Sequence, residues 1–283
     1  MLRSTPRGRP RPPALDPRSL RREYHEFLVQ RIEEYKDSLG RQEILALGDE
    51  AVRELDVAAG NQYVLTEVLV LEHVDRLIMK RLRLPSFPRW KRQHRALRDA
   101  QRQPTHWGLE PDSLLVDYAL RLEPGDAVVV VGSGWLPAAL FVAAHDARVL
   151  LLDQDLGAVE SAEQRAVTEQ LSGRFEALVL QFGGWFPDCL PSLAVVDPAA
   201  FAETHQAAQA AALRDLQVRT SPGGVHLVLP PVHTPEVIPI APDALQRIYA
   251  DWHIVRRPRT PRGAGFAAIK PERQDDTRSN VSK

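Results

Sequence analysis

Two periodicities divide this chain. In its first third, apolar residues recur every three or four positions. Tyr24, Phe27, Leu28, Ile32 and Tyr35 form one stripe, and Ile44, Leu45, Leu47, Ala51, Val52 and Leu55 a second. Val64, Leu65, Val68, Leu69, Leu71, Val74, Leu77 and Ile78 form the third. This spacing predicts three amphipathic helices. One opens near Pro17 or Ser19 and ends near Gly40, one closes at Ala58-Ala59-Gly60, and one runs from about Gln62 to Leu82. Beyond residue 110 the pattern changes. Short apolar runs at 128–131, 148–152, 174–181, 192–196 and 225–230 read as strands, and helical stretches separate most of them. The clearest helices are Gly157–Leu171, an alanine-rich Ala199–Val218, and Ala241–Tyr249. DWHIVRRP and GAGFAAIKP close the chain as a strand pair. Strands alternating with helices predict an α/β fold, a parallel sheet with helices on both faces. The expected organisation is a Pro/Arg-rich disordered tail (1–17), a helical region (18–104), a sheet domain (105–272) and a second disordered tail (273–283).

The first strand carries the chemistry. Val128–Val131 runs straight into Gly132-Ser133-Gly134, a helical stretch follows, and the second strand ends on Asp153. A strand, a glycine turn, a helix and a strand ending in an acid make the first unit of a nucleotide-binding sheet. The glycines permit close backbone approach, the helix start presents free N–H groups, and the acid can accept hydrogen bonds from a ribose. In such sheets ligands sit beyond the carboxyl ends of the strands, where the strand order reverses. Asp197, at the end of the fourth strand, reads either as a base or amine-orienting carboxylate or as the cap of the following helix. His205 and His233 are further candidates. Phe182, Trp185 and Phe186 read either as the wall of a small apolar pocket or as core.

Charge changes the picture in one place. The net charge is -1, yet Lys80 to Gln103 carries nine cations against Asp99 alone. Within it Arg89, Lys91, Arg92, Arg95 and Arg98 are interleaved with Phe87 and Trp90. That pattern suits a phosphate backbone with stacking bases, and it equally suits a solvated helix docked through Trp90 and Leu97. Glu72, His73 and Asp75 offer a conceivable metal site or a charged outer helix face. One cysteine, Cys189, excludes an internal disulfide and fits a reducing cytoplasm; nothing beside it would activate the thiol. No apolar run reaches the roughly 20 residues of a membrane span, and the basic N-terminus has no apolar segment behind it, so no secretory signal is expected.

The segment VVVVGSGWLPAALFVA, an acid at Asp153, SPGGVHLVLP leading into the fifth strand and the closing strand pair together resemble class I S-adenosylmethionine (SAM) methyltransferases. IPIAPDALQRIYADWHIVRR resembles the tellurite-resistance and thiopurine branch, where a helix ending in Tyr and Trp follows strand five. The resemblance implies a Rossmann-like seven-stranded sheet over about residues 109–272. It implies SAM as cofactor, held by Val131, Gly132, Ser133, Gly134, Asp153, Gln154 and Phe182, and Asp197 as the catalytic residue, with a small-molecule acceptor. The sequence also departs from the family pattern. Val130 stands where the first motif has an acid, Leu136 and then Pro137 where it has a third glycine, and Gly183 or Gly184 where an acid follows strand three. Two alternatives stay open: methylation of RNA recruited by the basic helix, and a methyltransferase-like domain that binds without catalysing.

Overall fold

The computed structural model describes residues 19–59, 67–230, 242–256 and 266–272. They form two compact units, one ending at Leu97 and the other beginning at Arg98.

The first unit is helical. Ser19 caps α1 (Leu20–Ser38) by accepting a hydrogen bond from the Arg22 N–H, and Gly40 separates it from α2 (Arg41–Ala59). The described part of the third helix is α3 (Glu67–Arg81); its expected start at Gln62 lies outside the described residues. The apolar stripes meet only in part: Ile32, Leu47, Ala51, Leu77 and Ile78 are buried together, while Ile44, Leu45, Val68, Leu69 and Leu71 stay exposed. α4 (Phe87–Gln101) starts in this unit and ends in the second. Trp90, only 3% exposed, packs in an aromatic cluster with Tyr24, Phe27, Phe87 and His94. The Tyr24 hydroxyl donates to the Pro85 carbonyl at 2.8 Å, and His94 Nε2 lies 3.1 Å from Glu23. The three residues weighed as metal ligands go to separate partners: Asp75 to Lys36 and His73 to Glu54, each at 2.9 Å, and Glu72 to Arg76 at 3.5 Å. They make a charged helix face.

The second unit runs α5 (Leu114–Ala119), β1 (Ala127–Val131), α6 (Leu136–Ala144), β2 (Arg148–Asp153), α7 (Leu156–Thr168), β3 (Phe175–Val179) and β4 (Leu193–Val196). It continues through α8 (Gln206–Arg219), β5 (Val225–Val228), α9 (Pro242–Ile248), β6 (His253–Arg256) and β7 (Phe266–Ile269). The seven strands form one sheet in the order β3-β2-β1-β4-β5-β7-β6. β1 to β5 are parallel to one another, and β7 lies antiparallel between β5 and β6. The valine run is apolar throughout because both its faces are covered. Val128 and Val130 face the core under α5, α6 and α7, while Val129 and Val131 face the core under α8 and α9. Among the described residues no helix is long and apolar enough to cross a membrane.

One expectation is corrected. The continuous helix expected over Ala199–Val218 is a 3-10 turn (Pro198–Phe201) and then α8. The break leaves carbonyls without helical partners, and a buried side chain supplies them. Gln209 Nε2 donates to the Phe201 carbonyl at 3.1 Å and to the Thr204 carbonyl at 2.7 Å. The crossover from β3 to β4, residues 180–192, contains no helix. Phe182 and Phe186 insert into the second core instead, and Trp185 stays 62% exposed.

A polar cluster crosses that core. Thr220 Oγ1 donates to the Leu216 carbonyl at 2.7 Å, so it accepts from His226 Nε2 at 2.6 Å. The Tyr249 hydroxyl therefore donates to His226 Nδ1 at 2.8 Å, which fixes a neutral imidazole. Lys270, just after β7, caps the end of α8 by donating to the Gln217, Val218 and Thr220 carbonyls. Burial first, and the Lys270 charge second, push His226 down to about 3. In the unfolded chain an imidazole protonates near pH 6.5. Between these values the unfolded state binds more protons, so stability falls on acidification. The expected loss from this group is about 2 kcal/mol between pH 7 and pH 5. Urea denaturation at the two pH values checks it: His226→Gln should lose less than wild type by that amount, and an equal loss in both would exclude His226.

Candidate functional site

The strand order reverses between β1 and β4, so their connections leave in opposite directions and a crevice opens at their carboxyl ends. Most of the sequence-predicted residues meet there. Gly132 ends β1 in a left-handed conformation, φ 98°, and its N–H donates to the Leu152 carbonyl at 2.8 Å. Ser133, Gly134 and Trp135 form a 3-10 turn leading into α6, with Leu136-Pro137 as its first residues. Proline is tolerated in this first turn because its missing N–H would have had no helical partner. Leu136 packs against the core under α6, and Val130 is fully buried in it.

Asp153 lies on one side of the turn. Its Oδ2 accepts the Ser133 N–H at 2.6 Å, and its Oδ1 accepts the Asp155 N–H at 3.0 Å. Each oxygen keeps a further lone pair for a ligand hydroxyl. Asp197 lies on the other side and is 3% exposed. Its backbone N–H donates to the Val131 carbonyl at 2.9 Å, and its Oδ1 accepts the Ala199 N–H at 2.9 Å, capping the 3-10 turn. The same carboxylate fills the space beside the glycines. A Cβ on Gly132 would stand 2.8 Å from the Asp197 Cβ and 2.9 Å from the Ala200 Cβ, and one on Gly134 would collide with Asp197 Oδ2. Both glycines are therefore required by a contact within the protein, which the sequence attributed to a ligand.

Gln154 has a role that sequence spacing did not reveal. Its Nε2 donates to the Ala200 carbonyl at 3.1 Å and to Thr204 Oγ1 at 3.0 Å. In a sheet ordered β2-β1-β4, this amide bridges the chain after β2 to the chain after β4. Val131 is buried below the turn. Phe182 is also buried, its ring 4.7 Å from Phe201, and Gly183 (φ 89°) allows the next residues to close on Ala208. His205 precedes α8 and is exposed, while His233 lies outside the described residues. Cys189 sits in the helix-free crossover, where burial pushes its thiol up.

No protein-family model matches the chain, and no curated protein matches it in sequence. Its fold is similar to solved structures. TehB from Haemophilus influenzae is 17% identical over 55% of this chain and 61% of its own, with a TM-score of 0.42. The chain thus spans less than two thirds of that protein. The N-methyltransferase NodS from Bradyrhizobium japonicum WM9 is 15% identical over 56% of this chain and 93% of its own, TM-score 0.41. The glycopeptide N-methyltransferase MtfA complexed with SAM is 12% identical over 56% and 92%, TM-score 0.44. The strand order, with an antiparallel β7 between β5 and β6, matches the Rossmann-like seven-stranded sheet that the sequence resemblance implied.

The contact between turn and carboxylate is testable as a coupling. Gly134→Ala should cost about 1–3 kcal/mol in the wild-type background, from overpacking against Asp197. In an Asp197→Ala background it should cost less than half of that, because the colliding oxygen is gone. Chemical denaturation of the four proteins measures the cycle. Additive costs would mean that the turn does not depend on Asp197.

Proposed function

We propose that this chain is a SAM-dependent methyltransferase acting on a small-molecule acceptor. One observation carries the reading: at the reversal point of the sheet, a glycine turn is flanked by two carboxylates, Asp153 and the buried Asp197. The residues present fit the cofactor chemically. A ribose diol calls for an acceptor such as Asp153, and a sulfonium or ammonium calls for a carboxylate in a low-dielectric setting such as Asp197. When bound, the cofactor supplies a methyl group already activated on a sulfonium.

The remaining work belongs to the protein. Asp153 holds the turn through Ser133 and offers its second lone pairs to ribose hydroxyls. Ser133 and Gly134 line the approach, with Val131 and Phe182 beneath them as apolar support. Asp197 orients an acceptor N–H or O–H for in-line attack, and its held geometry contributes through positioning. It also receives the proton that the acceptor releases. The acceptor class rests on the likeness of residues 238–257 to the tellurite-resistance and thiopurine branch.

A second reading has a specific observation behind it. The Gln154 bridge ties the two rims of the crevice together, as expected of a methyltransferase-like module that no longer exchanges a cofactor. Calorimetric titration of the full chain with SAM and S-adenosylhomocysteine separates the two. The enzymatic reading expects micromolar binding, weakened at least tenfold by Asp153→Ala and kept or tightened by Gln154→Ala. Binding weaker than millimolar in both wild type and Gln154→Ala would leave the non-catalytic reading standing.

A further inference from the structure

The other helices of the first unit compensate part of their charge; Arg21, Arg41 and Arg53 also make no ion pair among the described residues, but α4 gathers more such cations than any of them. On α1 and α3, arginines and lysines pair with acids three or four residues away: Arg22 with Glu26, Arg31 with Glu34, Lys36 with Glu33, and Arg76 with Glu72. α4 has no acid in its first turn, where a helix start favours negative charge, and instead carries Arg89 there and Lys91 and Arg92 just after. Arg89, Arg92 and Arg95 follow one another at three-residue spacing, and Lys91 and Arg95 stand four apart. These are the spacings at which like charges repel on a helix. Among the described residues none of these four makes an ion pair. A local arrangement that opposes both the helix dipole and neighbouring charges marks a place where function has overridden stability.

Packing fixes which way this charge points. Trp90 and His94 bury one side of α4. At 3.6 residues per turn, Arg89, Arg92 and Arg95 then fall within roughly 120° on the opposite side. All three are exposed. The other residues on and beside that side, Pro88, Gln93, Ala96 and one acid, Asp99, offer no large apolar group that could enter a bilayer. Arg98, which the sequence grouped with these residues, is committed elsewhere, to the Gln170 carbonyl and to Gln101. The aromatic residue between the arginines is core, so stacking on bases is not available to Trp90.

We propose that the outer face of α4 (Arg89, Arg92 and Arg95, with Lys91 beside them) binds the phosphodiester backbone of duplex nucleic acid without reading its sequence. Planar guanidinium groups match phosphate oxygens in pairs, and a row of three along a rigid helix meets successive phosphates. With no stacking platform, the recognition is of backbone charge and shape. Polyanion binding also relieves the repulsion that α4 carries when free. The surface is independent of the cofactor reading above and can be tested without any cofactor.

The test is fluorescence anisotropy of the full chain with a labelled 20-base-pair RNA duplex, a DNA duplex of the same sequence and an unrelated sequence of each, across 50–200 mM KCl. Wild type should bind at least one duplex type equally well in both sequences, and the RNA and DNA arms identify the source. The triple variant Arg89→Gln/Arg92→Gln/Arg95→Gln should bind at least tenfold more weakly at 50 mM salt. Its slope of log affinity against log salt should be shallower by about 2–3, at roughly 0.9 for each phosphate that is no longer neutralised. These side chains are exposed and repel one another, so the thermal melt of the variant should match or slightly exceed wild type, and Arg89→Lys/Arg92→Lys/Arg95→Lys should retain most of the salt slope. Undiminished binding by the triple glutamine variant would overturn the proposal, as would no binding of either duplex at 50 mM salt. So would binding to phosphatidylglycerol vesicles without binding to either duplex.

Discussion

The second unit depends on the place of β1 at the centre of a parallel sheet. With β2 on one side and β4 on the other, its five residues bury both faces, and no polar side chain can stand among Val128–Val131 without losing water on both sides. The chain must then turn out of the sheet within a residue or two, at the point where β2 and β4 also end. Three chain segments leave the sheet almost together, and the space between them is short of volume. Gly132 and Gly134 are the response to that shortage, and Asp197 is the group that presses on them. The site is first a packing solution and then a chemical arrangement. The turn, held by Leu152 and Asp153 on one side and Asp197 on the other, gives two carboxylates fixed positions before any ligand is considered.

Much of this was legible in the sequence because it follows from period and punctuation. The valine run, the abrupt glycines, Asp153 at the end of β2 and the strand pair at the end of the chain each carry a local signal. What was not legible depends on contacts between distant segments. Nothing near Thr204 announces that the alanine-rich stretch breaks there. Alanines favour a helix wherever they occur, and the break is held by Gln209 reaching back to two carbonyls. Gln154 looks like a polar residue beside a ribose acid, yet its partners lie nearly fifty residues away. Phe182 could wall a pocket or fill a core, and only the position of Phe201 decides that it fills a core. Tyr249 and Trp252, which carried the likeness to one methyltransferase branch, prove to be neighbours of His226 in the interior.

The helical unit was legible in the same uneven way. Its apolar stripes predicted the helices, but the basic stretch could not be interpreted until Trp90 was placed. An indole among arginines fits a nucleic-acid surface or an anchor equally well. Once it is buried against Tyr24 and Phe27, the arginines are left on the opposite side as a separate feature. Splitting one motif into an anchor and a charged face is a result that composition alone cannot deliver.

The glycine turn has a consequence for how the sheet is assembled. β1 and β4 pair with Val131 opposite Val196, which brings Asp197 opposite Gly132, the one residue there without a side chain. A slip of the pairing by one residue would set Asp197 against Val131 or Ser133 and also exchange the faces of every side chain in β4. Strands made almost entirely of small apolar residues discriminate poorly between such alternatives by hydrophobicity alone, since both faces are buried in either case. The missing Cβ of Gly132 therefore works as a steric key for strand alignment: it admits one pairing of β1 with β4 and obstructs its nearest competitors.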